Sequence, residues 1–144
     1  MKFILIPLSA LLICQGIKLF IFLYRKQEFS WRTLMWEGFW AGKFPSSHAA
    51  LLASSLYLLI NHSENYSVIA FAVVISLLLV YGLLEDKKRH QMIESYLSRS
   101  SDGELKKITS DDLFRDFNGH NVVELVSGAF IGVSCAMIFD WLLW

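Results

Sequence analysis

The sequence predicts an all-α integral membrane protein: a bundle of four transmembrane helices with amphipathic surface helices on the cytosolic side. The first observation is composition, because 55% of the 144 residues are hydrophobic, only 18% are charged, and the mean hydropathy is +0.46. This balance is too apolar for an ordinary soluble domain. The second observation is that the apolar residues fall into four runs separated by polar segments. Together they predict one membrane domain over residues 1–144.

The four runs predict helices of unequal length. A bilayer-spanning helix needs about 20 apolar residues, so the first and last runs are long enough. The two middle runs are shorter, and we expect them to cross a thinned region or to be partly re-entrant. The predicted helices lie at about residues 3–24, 46–60, 67–84 and 122–144, and cytosolic segments at 25–45 and 85–120 connect them.

Loop charges predict the orientation. Two long polar segments carry nearly all the lysines and arginines, whereas the turn at residues 61–66 has none. By the positive-inside rule, both cationic segments face the cytoplasm and both termini lie outside. We therefore expect an integral protein of the bacterial inner membrane type, with its site facing the cytoplasm. The cations concerned are Arg25, Lys26, Arg32, Lys43, Lys87, Lys88, Arg89, Arg99, Lys106, Lys107 and Arg115.

The second cytosolic segment has helical periodicity. Apolar residues recur on one face between Met92 and Leu97, which predicts a short amphipathic surface helix. Thr109 and Asp112 resemble a capping box at the start of another. We expect both to lie on the membrane surface. A solvated helical linker is the alternative.

Net charge and cysteine usage narrow the classes of function. The formal net charge is zero, so nothing indicates a nucleic-acid partner. Cys14 and Cys135 both lie inside apolar runs. This placement indicates buried small hydrophobic residues rather than a disulfide or a metal pair.

The most informative segment is Phe44-Pro45-Ser46-Ser47-His48, at the start of the second apolar run. Proline suits the first position of a helix, and the unpaired N–H groups of a helix N-terminus form a ready anion site. The two hydroxyls add donors, and the imidazole can exchange a proton near pH 7. The alternative is an ordinary serine-rich start of a membrane helix.

Lys18 lies about 9 Å below the end of the first predicted helix, at 1.5 Å per residue. An ionisable residue at such a depth is a functional candidate by default. Gln15 lies three residues earlier on the same face. The alternative is a lysine whose ammonium group snorkels to the interface.

His120 and Glu124 have the i, i+4 spacing that places two side chains on one helical face. A carboxylate there can hold one imidazole nitrogen and leave the other free as a nucleophile. His48 also lies at the cytosolic end of its helix, so we expect the two imidazoles to face each other. His62 and His90 have no such partners in sequence, and we expect them at the surface.

Two other interpretations of these residues stay open. His48, His120 and Glu124 could form a metal site of two histidines and one carboxylate. The surrounding basic residues suit an oxyanion better than a cation. The His120–Glu124 pair could also serve only to satisfy polar groups at a helix end.

Several short motifs follow one another along nearly the whole chain. They are Gln15-Gly16-x-Lys18, Trp31-Arg32, Pro45-Ser46-Ser47-His48-Ala49-Ala50, Val80-Tyr81, and Gly119-His120-x-x-x-Glu124 with Gly128 and Gly132. In this order they resemble the divergent branch of the type 2 phosphatidic acid phosphatase superfamily, which is related to acid phosphatases and vanadium-dependent haloperoxidases.

The resemblance implies a role for each matching residue. His120 is similar to the nucleophilic histidine, Glu124 to its carboxylate partner, and His48 to the histidine of the second motif. The implied phosphate-binding residues are Lys18, Arg32, Ser46, Ser47, Lys87 and Lys88. The chain departs from its relatives at Gly82, where they carry aspartate after the tyrosine.

The implied function is hydrolysis of a phosphomonoester or diphosphate, on a phospholipid or polyprenyl carrier in the bilayer, through a phosphohistidine. The resemblance implies no cofactor and no metal, and vanadate is expected to bind as a phosphate mimic. A homo-oligomer is compatible with this picture. Two other functions fit the same residues: a non-catalytic protein that binds or moves phospholipid head groups, and a structural membrane subunit whose motifs only cap helices.

Overall fold

The computed structural model describes residues 2–24, 44–99 and 120–143, and within these ranges the chain is helical apart from short connections. An all-α fold is therefore confirmed. The helices are α1 (Lys2–Tyr24), α2 (Ser47–His62), α3 (Tyr66–Arg99) and α4 (Val122–Leu143).

Helices α2 and α4 run parallel to each other. At one end the backbone N–H of Ser46 donates to the carbonyl oxygen of Glu124 at 3.0 Å. At the other end Nε2 of His62 lies 2.8 Å from Oδ1 of Asp140. Both N-termini therefore lie at the same end of the bundle, which brings together motifs that are far apart in sequence.

Helix α1 packs antiparallel against this pair. Lys18, near its C-terminal end, contacts Ser47 at the start of α2. Phe3, near its N-terminal end, lies edge-on to His62 with ring centroids 6.1 Å apart. The C-terminal end of α1 thus meets the N-terminal ends of α2 and α4.

The three helices bury a small apolar core. Ile6 of α1, Leu58 of α2 and Ala136 of α4 form its centre, with Tyr57 and Phe139 packed around them. The two cysteines are buried as expected. The core lies toward the end remote from Lys18, so it holds the bundle together without filling the polar end.

Among the described residues, three helices are long and apolar enough to cross a membrane: Phe3–Tyr24, Tyr66–Leu97 and Val122–Leu142. This supports a membrane protein. Helix α2 has 16 residues and is about 24 Å long, shorter than the roughly 30 Å of a bilayer core. The expectation of four spanning helices is thus supported for three of them and stays a prediction for α2.

Helix α3 differs from the prediction. We expected a helix over 67–84 followed by a separate surface helix, but one continuous helix of 34 residues runs to Arg99. Between Gly82 and Arg99 the sequence contains no proline or glycine, and Arg89 pairs with Glu85 at 2.8 Å across one turn, which supports the helix. Met92, Ile93 and Tyr96 are exposed on this extension. The surface helix predicted near Thr109 lies outside the described residues.

The surface position expected for His62 is wrong. Its side chain is only 20% exposed, and it pairs with Asp140, whose side chain is 13% exposed. The partner is 78 residues away in sequence, so only the parallel packing of α2 and α4 brings the two together. His90 is also half-buried, on α3.

Candidate functional site

The N-terminal ends of α2 and α4 place two imidazoles next to each other, edge to ring. The ring centroids of His48 and His120 are 5.9 Å apart, with an interplanar angle of 62°. His48 lies in the first turn of α2, and His120 lies two residues before α4 begins. The expectation that these histidines face each other across the bundle agrees with the structure.

Glu124 holds His120 in one orientation. Its Oε2 atom lies 3.2 Å from Nδ1 of His120 and accepts the backbone N–H of Asn121 at 2.9 Å. Asn121 and Glu124 have the spacing of a capping box, in which the third residue of a helix reaches back to the cap. When Nδ1 carries a proton and donates it to Glu124, Nε2 keeps a free lone pair. The carboxylate thus both starts α4 and orients the imidazole.

Ser46 begins α2. It has extended backbone angles, and its Oγ accepts the backbone N–H of Ala49 at 3.4 Å, so it is an N-cap. Its own N–H donates to the carbonyl oxygen of Glu124. The Oγ atom and the backbone N–H of Ser46, which we expected to face an anion, therefore both form hydrogen bonds within the protein. In the described part of the chain, the backbone N–H groups of Ser47 and His48 have no such partner and are the first-turn donors left to a ligand.

Lys18 is buried inside the bundle. The residue is only 6% exposed, and Nζ donates to Oγ of Ser47 at 3.2 Å. It also lies close enough to Glu124 to interact electrostatically with it. This geometry is that of an inward-facing lysine, not of one that snorkels to the interface. The lysine brings a positive charge from α1 to the start of α2.

His48 lies outside the three candidate spans, and its surroundings disfavour its protonated form. Burial lowers the pKa of His48 below its ordinary value of 6.5, and the neighbouring His120 and Lys18 lower it further. An arriving anion would oppose the last two effects. The imidazole is therefore suited to take up a proton when a negative group binds.

Other residues of the sequence analysis are not part of this cluster. Lys87 and Lys88 lie on α3, and within the described ranges neither forms a hydrogen bond or ion pair with it. Arg32 lies outside the described residues. Gln15 lies one turn from Lys18, and its Oε1 atom is buried without a hydrogen-bond partner.

The proposed metal centre is not formed by the described residues, among which no group of three or more His, Cys, Asp or Glu side chains is placed to hold an ion. Oε2 of Glu124 instead meets Nδ1 of His120 and the N–H of Asn121. Sequence reasoning missed Asn121 as the cap of α4. The signal was present in the spacing Asn121-x-x-Glu124.

No curated protein and no solved structure matches the chain. One family model does, the divergent PAP2 family, over residues 1–135. The match covers α1, α2, α3 and most of α4, and so contains every residue of the cluster. It agrees with the resemblance carried by the motifs, and the chain belongs to the divergent PAP2 family.

Proposed function

We propose that this protein is a membrane phosphatase that hydrolyses a phosphomonoester or diphosphate of a lipid or polyprenyl carrier through a phosphohistidine. The observation that carries the proposal is the oriented imidazole of His120, which has Glu124 at Nδ1 and faces His48. An oriented nucleophile beside a group that transfers protons is the arrangement that covalent catalysis requires. Family membership supports a phosphatase-related protein.

In the first step, Nε2 of His120 attacks phosphorus. The new N–P bond forms as the bond from phosphorus to the leaving oxygen breaks. His48, protonated in the complex, donates its proton to that oxygen, so an alcohol or a phosphate leaves. Glu124 stabilises the positive charge that develops on His120.

In the second step, water attacks the phosphohistidine. The neutral His48 takes a proton from the water as the new O–P bond forms and the N–P bond breaks. Inorganic phosphate leaves, and both imidazoles return to their starting forms. The same imidazole thus serves as acid and then as base.

Charge stabilisation supplies much of the catalysis of phosphoryl transfer. Lys18 and the first-turn N–H groups of α2 are the donors that the described structure offers. The hydroxyls of Ser46 and Ser47 would donate to the same oxygens. Arg32, Lys87 and Lys88 belong to the proposal on the resemblance alone. No cofactor takes part in either step.

The test is turnover by detergent-purified protein on a panel of phospholipids and polyprenyl diphosphates. Wild-type protein should release phosphate, and acid-quenched samples should contain acid-labile phosphate on His120. His120→Ala should abolish release, whereas His62→Ala, at the opposite end of the bundle, should retain it. Equal rates for wild-type protein and His120→Ala would refute the assignment.

Two observations favour a second candidate, a non-catalytic protein that binds phospholipid head groups. The N–H of Ser46 is already paired with Glu124, and Lys18 is the only predicted phosphate-binding cation that the described residues bring to the cluster. A head-group binder needs the anion pocket but no aligned nucleophile. Protein that binds vanadate yet turns over no member of the panel would favour this candidate.

We also propose that the site faces the cytoplasm of a bacterial inner membrane. The loop charges support this orientation. The packing supports one side of the membrane for the C-terminal end of α1 and the N-terminal ends of α2 and α4. The site residues of these three helix ends lie together: Lys18, Ser47, His48 and His120. The substrate would then reach the site from the inner leaflet.

A further inference from the structure

Two glycines of α4 lie directly against the backbone of α2. A Cβ atom added at Gly128 would overlap the carbonyl oxygen of Ser46 and lie 2.9 Å from its carbonyl carbon. One added at Gly132 would overlap the carbonyl oxygen of Ala50 and lie 2.8 Å from its carbonyl carbon. Both neighbours are backbone, which cannot rotate away as a side chain can. Glycines spaced in this way allow close packing of membrane helices.

This seam, formed by Gly128 and Gly132 against Ser46 and Ala50, lies next to the candidate site. Ser46 at the seam donates its N–H to the carbonyl oxygen of Glu124 at 3.0 Å. Glu124 in turn meets Nδ1 of His120. The start of α2 is therefore docked through backbone atoms on the same turn of α4 that orients the nucleophile.

His48 follows Ser46 by two residues, within the first turn of α2. Its ring position relative to His120, with centroids 5.9 Å apart, depends on how closely α2 approaches α4. No direct hydrogen bond between the two rings is described that would hold this spacing. The backbone seam and the bond from the Ser46 N–H to Glu124 hold the start of α2 against α4.

We propose that Gly128 is a positioning residue: by admitting the Ser46 carbonyl against α4, it sets the separation between the imidazoles of His48 and His120. Gly132 holds the same seam one turn further from the histidines. The kinetic consequence rests on the proposed phosphatase function, whereas the geometric one does not.

The kinetic consequence depends on the leaving group. An alkyl alcohol is a poor leaving group and needs the proton from His48, whereas p-nitrophenol leaves with little protonation. A methyl group at Gly128 pushes the start of α2 away and takes His48 out of reach of the leaving oxygen. Hydrolysis of an alkyl phosphate should then fall much more than hydrolysis of p-nitrophenyl phosphate.

The experiment compares Gly128→Ala with Gly82→Ala. A Cβ at Gly82 would meet none of the described residues within 4 Å, so this control adds the same methyl group without a clash against them. The readout is the ratio of aryl to alkyl hydrolysis, in which the fraction of folded protein cancels. We expect the ratio to rise at least about tenfold in Gly128→Ala and to stay unchanged in Gly82→Ala. Equal losses on both substrates, or no loss on either, would overturn the proposal.

A second measurement needs no turnover. His48 can be titrated by NMR in protein labelled at histidine. Among the described residues, the titratable groups that act on it are His120, just before α4, and Lys18 from α1. Opening the seam hydrates His48 and moves it away from His120 and Lys18, so its pKa should rise toward the ordinary value in Gly128→Ala and not in Gly82→Ala.

This measurement separates failure of the inference from failure of the proposed function. If wild-type protein shows no turnover but the pKa of His48 rises in Gly128→Ala, the phosphatase proposal is refuted. Gly128 is then still the residue that sets the spacing of the two imidazoles. An unchanged His48 titration in Gly128→Ala overturns the inference, whatever the activity. If Gly128→Ala does not fold, Gly132→Ala should give smaller changes of the same sign in the hydrolysis ratio and in the pKa of His48. The absence of both changes would overturn the inference.

Discussion

Nδ1 of His120 lies 3.2 Å from Oε2 of Glu124, and the same oxygen accepts the N–H that begins α4. One carboxylate therefore has two functions. It satisfies a helix N-terminus, which explains its presence in a structural protein, and it fixes an imidazole, which explains its presence in an enzyme. Stability and turnover must be measured separately to distinguish them.

Glu124→Gln should lower turnover by up to about 10⁴-fold, as expected when a carboxylate that orients a catalytic histidine becomes an amide. The amide keeps an oxygen that can cap α4, but it loses the charge that stabilises a positive His120. Sulfate or vanadate affinity should persist, because removing a negative charge does not weaken an anion site. Steady-state rates and isothermal titration of the variant check this. Wild-type turnover would mean that Glu124 acts only as a cap.

Ser46→Ala should destabilise the protein by about 1 kcal/mol, the usual cost of losing an N-cap side chain. The matched control is Ser55→Ala on the same helix. Oγ of Ser55 donates to the carbonyl oxygen of Leu51, a bond that slightly disfavours a helix, so its loss should be neutral or stabilising. Unfolding in detergent micelles gives both values. Equal effects at the two serines would contradict the capping role.

The His62–Asp140 pair should stabilise the end of the bundle remote from the site. Removing either side chain breaks this partly buried hydrogen bond, so His62→Ala and Asp140→Ala should each cost about 1–3 kcal/mol. The double variant should cost less than the sum, since the two residues share one interaction. Turnover per folded molecule should not change. Additive losses would show that the pair does not couple α2 to α4.

Anion affinity should rise as the pH falls. In the free protein, the pKa of His48 lies below 6.5 because the residue is buried and has His120 and Lys18 as neighbours. A bound dianion raises this pKa. Binding therefore takes up a proton between the two values, and affinity increases until the pH is below the free-protein pKa. Sulfate is a suitable probe, because it stays a dianion throughout this range. Calorimetry in two buffers measures the proton uptake, and His48→Gln should reduce it.

Orientation can be tested with cysteines introduced at Ser30, Ser63 and Ser101. An impermeant thiol reagent should label the Ser63 position in intact cells and the other two only after permeabilisation. Cys14 and Cys135 are buried and should add little background. Labelling at Ser30 and Ser101, without labelling at Ser63, would reverse the proposed orientation.

The sequence alone predicted the helical, membrane-embedded class and most of the helix ends. Apolar runs determine these features locally, so α1 and α4 begin and end within two residues of the predicted bounds. The contact of His120 with Glu124 was also predictable from their i, i+4 spacing, although His120 lies just before α4 and the capping turn at Asn121 brings it to the carboxylate. The end of α3 was not, since an amphipathic stretch with no breaker can continue one helix or begin another.

Only the tertiary structure decided what lies between helices. The parallel packing of α2 and α4 pairs His62 with Asp140 and places the Ser46 backbone on Gly128. The structure also shows that Lys18 turns inward to Ser47, where the sequence favoured a functional lysine but left snorkelling as the alternative. These contacts join residues 29 to 82 positions apart, and no local periodicity records which faces of two helices meet. The physical reason is that helix packing is selected by the fit of whole surfaces, here by two glycines that let backbones touch.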